Sequence, residues 1–189
     1  MNPALVLCSH GTSDPVGREV VRRLAATVRR AAAPFEVHEA VVDVEEHRLP
    51  DVLASLRRPA VVVPLLLSGG FHVHHDIAEA VAARPHTVAA DPLGPSWALA
   101  EIGARRLHEA GAHRHDTVVL GASGSSDARA MAQVEDAADR LAQVWGRQVR
   151  VGHVGRTGTP LADVVAEARL TGRRVVVSSY LLAPGYFQT

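Results

Sequence analysis

Apolar residues in this chain fall into short dense runs, separated by longer stretches in which they recur every three or four positions. The runs Ala4–Cys8, Val37–Val42, Ala60–Leu67 and Thr87–Ala90 are rich in Val and Leu and predict strands. Between them, Gly17–Ala32, Pro50–Leu56, Asp76–Ala83 and Ser96–Ala110 place apolar positions on one helical face and predict helices. The rhythm then returns as strand Thr117–Leu120, helix Ala128–Val144, strand Val149–Val154, helix Leu161–Leu170 and strand Arg174–Leu181. Near-continuous apolar strands alternating with amphipathic helices predict an α/β protein whose parallel sheet is doubly wound, with helices on both faces. The stretch Ala110–Asp116, made of Gly, His and charge, reads as a linker.

The return of the rhythm is a duplication. Leu5-Val-Leu-Cys-Ser-His-Gly-Thr-Ser-Asp14 matches Val118-Val-Leu-Gly-Ala-Ser-Gly-Ser-Ser-Asp127, with both ends of the segment 113 positions apart. Leu67-Ser-Gly-Gly-Phe-His72 is echoed by Leu182-Ala-Pro-Gly-Tyr-Phe187. The expected organisation is therefore an N-terminal half, 1–112, and a diverged C-terminal half, 113–189. The second half has no counterpart of residues 73–112, so it is expected to be truncated in this sequence. His10 becomes Ser123 and His72 becomes Phe187. Both copies keep the scaffold and one keeps the imidazoles, which points to chemistry in the first half and architecture in the second.

Composition narrows the function classes. Lys+Arg and Asp+Glu are both 20, so bulk charge argues against nucleic acid or an anionic membrane as partner. All the Lys+Arg positions are Arg, so a phosphate-loop Lys is excluded; the first turn also lacks the dinucleotide fingerprint, and no nucleotide is expected. The lone Cys8, inside an apolar run, reads as a buried reduced thiol. The chain passes from Met1-Asn-Pro straight into a strand, and no apolar run approaches the ~20 residues of a membrane span. A cytoplasmic protein is the expectation, and a homo-oligomer is compatible with it.

Ligands of open parallel sheets bind beyond the carboxyl ends of the strands. His10 directly follows the first strand and His72 follows the third. Strands one and three of such a unit are commonly neighbours, so the two imidazoles can converge on a borderline transition metal. Two ligands fall short of a closed zinc site, which suits transient handling of the ion. Asp43, in the cluster Asp43-Val-Glu45-Glu46-His47 after the second strand, is the first choice for a carboxylate ligand or proton acceptor, with a solvated acidic loop as the alternative. His74 and His75 read as a solvated helix start and Asp76 as an acid of the N-cap region. Ser123 does not satisfy the Gly-x-Ser-x-Gly elbow of a hydrolase.

Leu5–Gly11, then Val63-Pro-Leu-Leu-Leu-Ser-Gly-Gly-Phe-His-Val-His-His-Asp-Ile77, and Asp91-Pro-Leu-Gly94 with Leu99-Ala-Glu101 and Arg106 resemble the sirohydrochlorin chelatases. These are the class II, ATP-independent cobalt and iron chelatases of the CbiX type, which serve cobalamin and sirohaem biosynthesis. The resemblance implies two flavodoxin-like halves with a sirohydrochlorin-type tetrapyrrole between them, and Co²⁺ or Fe²⁺ as substrate. It implies that His10 and His72 are the metal-binding and catalytic histidines, that Asp43 is an acidic metal position, and that the chain has one site. A non-catalytic metal or tetrapyrrole carrier with the same histidines is the alternative. A zinc hydrolase stands further off, lacking a third ligand.

Overall fold

The computed structural model describes residues 2–70 and 73–185. They form two parallel α/β sheets, each with its own core.

The first sheet has the order β2-β1-β3-β4, built from β1 (Ala4–Ser9), β2 (Val37–Val41), β3 (Ala60–Pro64) and β4 (Thr87–Ala89). Every pairing is parallel, with Cys8 opposite Ala40 on one side and Pro64 on the other. The expected adjacency of strands one and three is present. β3 ends at Pro64, earlier than the apolar run suggests, because its partner β1 ends one residue beyond the last pair. Leu65 donates a final bond to the Cys8 carbonyl, and the chain leaves the sheet.

Helix α1 (Pro15–Ala31) starts where Asp14 accepts the N–H groups of Val16 and Gly17 and Pro15 supplies a preset φ. Arg29 and Arg30 in its last turn complement the helix dipole. Helix α2 (Leu49–Ser55) buries Leu49 and Leu53, and α3 (Ala78–Ala82) buries Ala80. These meet Val6, Cys8 and Val62 in one apolar cluster. Each fully buried aliphatic side chain there contributes roughly 1.5–3 kcal/mol. A π-helical turn, Val73–Ile77, leads directly into α3. Asp76 lies inside that turn, and the cap of α3 is Ile77 with no side-chain bond. Asp76 stands in the first turn of this helical segment, an acid near the helix start.

The second sheet has the order β6-β5-β7, from β5 (Thr117–Ala122), β6 (Val149–His153) and β7 (Val175–Tyr180), again all parallel. One face packs Val118 and Leu120 on α5 (Ala128–Trp145) and on α4 (Trp97–Glu109), through Ala104 and Leu107. The other packs Val119 on Val164 and Ala168 of α6 (Leu161–Arg169). Helices therefore cover both faces.

The duplication holds at atomic detail. Asp127 caps α5 as Asp14 caps α1. Val42 N–H bonds Ser9 O at 2.9 Å, and Val154 N–H bonds Ala122 O at 2.8 Å. Isolated bridges Val41–Arg48 and His153–Pro160 close the same turn in both copies. The compact units do not follow the repeat boundary, however. One comprises the chain up to Pro92 together with the segment beginning at Leu182, and the other is Leu93–Leu181. Helix α4, encoded by the first repeat, thus packs in the core of the second unit.

Candidate functional site

The site is assembled at the carboxyl edge of the first sheet, where β1 and β2 end side by side. His10 follows β1 and is exposed. Gly11 then takes φ +90°, and a Cβ at this position would overlap the Asp43 carbonyl oxygen. Only glycine lets the two turns approach so closely. The approach is secured by backbone bonds: Val42 N–H to Ser9 O at 2.9 Å and Asp43 N–H to His10 O at 3.0 Å. His10 and Asp43, picked out separately in the sequence, are thereby joined through their main chains.

Side chains stiffen the same junction. Asp43 Oδ1 accepts the Val44 N–H at 2.8 Å and the Arg48 guanidinium at 3.0 Å. Glu45 Oε1 accepts the Thr12 N–H at 2.9 Å, and Thr12 Oγ1 in turn accepts the Asp14 N–H at 3.1 Å. Asp43 and Arg48 are both about half-exposed, so their ion pair is worth ~0–1 kcal/mol and serves geometry more than stability. The His10 Nδ1 lies 3.3 Å from the Gly11 carbonyl oxygen.

His72 and its counterpart Phe187 lie outside the described residues, so the convergence of His72 with His10 is not part of this geometry. His75 is exposed within the π-helical turn. Among the described residues, no group of three or more His, Cys, Asp and Glu is placed to hold a metal ion. In the second copy the turn after β5 carries Ser123 with Gly124 at φ +83°, and the position of Asp43 is taken by Gly155. Sequence reasoning passed over Glu45 as a tie to Thr12, and over Val44 and Arg48. An acidic loop was visible, but which carboxylate turns back onto which N–H depends on a backbone turn that composition does not encode.

The CbiX family model matches residues 4–110 and 117–189, and so takes in both repeats. Among solved structures, SirB from Bacillus subtilis with Fe³⁺ superposes with a TM-score of 0.81 at 21% identity, over 98% of this chain and 79% of that one. The sirohydrochlorin chelatase SirB from Bacillus subtilis subspecies spizizenii, in complex with cobalt, gives 0.70 at 18% identity, over 95% and 87%. CbiX, the terminal enzyme for biosynthesis of siroheme in denitrifying bacteria, gives 0.64 at 17% identity, over 98% and 92%. These likenesses establish the fold. No curated protein sequence matches the chain. Among the described residues, no helix is long and apolar enough to cross a membrane.

Proposed function

The chain belongs to the CbiX family, and from that premise we propose that it inserts a divalent metal ion, Co²⁺ or Fe²⁺, into sirohydrochlorin without a nucleotide. The setting is cobalamin or sirohaem biosynthesis. The observation that carries this reading is the family match across both repeats, combined with an imidazole at the end of β1 in one repeat and a serine in the other. Related structures described with Fe³⁺ and with cobalt agree with a site that handles such ions.

Insertion exchanges two pyrrole N–H protons for one M²⁺, which sheds its waters as it enters the ring. A neutral imidazole, with an unperturbed pKa near ~6.5, can ligate the incoming ion or accept a departing proton. We assign His10 and His72 to these two tasks jointly and Asp43 as a carboxylate ligand to the ion. One Asp43 oxygen is already committed to the Val44 N–H and to Arg48, so the turn fixes the direction from which this carboxylate can approach a metal. The half 1–112 carries the reaction, and 113–189 serves as scaffold.

The decisive experiment is an anaerobic assay of Co²⁺ and Fe²⁺ insertion into sirohydrochlorin, followed by the change in the tetrapyrrole absorption spectrum. Turnover above the uncatalysed rate is expected. Stoichiometric binding of metal or tetrapyrrole with no acceleration identifies a carrier and defeats the proposal.

A further inference from the structure

Two described non-glycine residues have positive φ: His86 at 56° and Val44 at 71°. His tolerates the left-handed region comparatively well, whereas a β-branched side chain there is a true outlier. Val44 is held in it by its surroundings. Its N–H is taken by Asp43 Oδ1, which Arg48 also holds, and Glu45 N–H bonds Asp43 O at 2.9 Å. Strain that neighbours enforce in this way collects at positions that are used.

The strain gains nothing for the core, since Val44 is 53% exposed. It lines a cavity of about 570 Å³ whose other lining residues, among them Thr12, Ser13, Arg18 and His47, are all polar. The second repeat solves the same turn without strain. It carries Gly155-Arg156-Thr157-Gly158 where the first carries Asp43-Val44-Glu45-Glu46, and its left-handed residue is Gly158 at φ +85°. Valine in the disfavoured conformation is thus confined to the repeat that bears His10.

We infer that Val44 is a substrate-contact residue whose isopropyl group is held out from the turn to lie against the apolar face of a flat macrocycle addressed by His10. The inference rests on the chelatase reading. The bond from Asp43 N–H to His10 O joins the turn that carries this apolar tip to the turn that bears the imidazole. A contact made equally in the ground and transition states changes KM and leaves kcat alone.

The full-length chain carrying Val44→Gly, Val44→Asn or Val44→Ile is compared with wild type in anaerobic metal insertion at saturating metal, alongside thermal unfolding. Val44→Gly is expected to raise Tm by about 2–4 °C, because glycine adopts positive φ freely. It should also raise KM for sirohydrochlorin roughly fivefold as the apolar contact is lost, with kcat little changed. Val44→Asn keeps the left-handed backbone but not the apolar surface, and should raise KM equally; Val44→Ile should retain the wild-type value. An active wild type with unchanged sirohydrochlorin KM in both Val44→Gly and Val44→Asn overturns the inference, as does a Val44→Ile loss equal to that of glycine. A wild type that neither binds nor metallates sirohydrochlorin defeats the chelatase reading, and this inference with it.

Discussion

Burial raises the Cys8 thiol from 9.0 to about 12, because the strand interior penalises the thiolate. Tyr180 moves from 10.0 to about 12, mainly through burial, with Asp136 adding to the rise and Arg140 opposing it. Both groups titrate at lower pH in the unfolded chain than in the folded one. Their contribution to stability is therefore complete below pH 9 and is lost as pH rises toward 12. The urea midpoint should hold steady from pH 7 to about 9 and then fall, and Cys8→Ala should flatten the early part of that fall. A midpoint that does not move up to pH 11 contradicts this. His10 belongs to the same scale but to a different role. Its side chain is exposed, so His10→Ala should leave the thermal midpoint nearly unchanged while slowing metal insertion by about 100-fold or more. A variant with near-normal turnover removes His10 from the chemistry.

Among the elements, α1 offers a test in which two effects have opposite signs. Gly17 lies in its first turn, and replacing a helical glycine by alanine ordinarily stabilises by about 0.5–1 kcal/mol. Here an added Cβ would overlap the Pro184 carbonyl oxygen and press on the Thr12 side chain. Gly17→Ala should therefore lower stability in urea unfolding, and a stabilised variant would mean that the 182–185 segment does not pack on α1 in solution. Much at this scale was legible beforehand. The apolar period placed α1 over Gly17–Ala32, two residues late at its start, and Ser96 and Ala110 flank an α4 that runs as its apolar period predicted. The π-helical turn before α3 was not legible, because a run such as Val-His-His-Asp-Ile fits one helical hydrogen-bond pattern as well as another. Nor was the left-handed Val44, since nothing in a valine's type favours φ above zero.

For the whole molecule, duplication was readable from matched residues, but the packing partners of the repeated elements were not. An apolar stripe on α4 says that one face is buried, and the neighbours that bury it, α5 and β5, are settled only in three dimensions. The divergence between copies supports a test. Ser123→His in a His10→Ala background should not restore metal insertion, because Gly155, Arg156 and Thr157 replace the Asp43–Glu45 turn that frames His10. A tenfold or greater recovery over His10→Ala would make the second repeat a competent site. The division into units also sets an order for folding on the ribosome. The residues of the second unit, Leu93–Leu181, are contiguous, whereas the first unit draws on the chain up to Pro92 and again from Leu182 onward. Translation at ~5–20 residues per second inserts a wait of roughly 5–20 s between those two contributions. Throughout that wait the nascent first unit, already carrying His10 and its turn, lacks the segment of chain that closes over Gly17, and the second unit has all its parts before the first is complete.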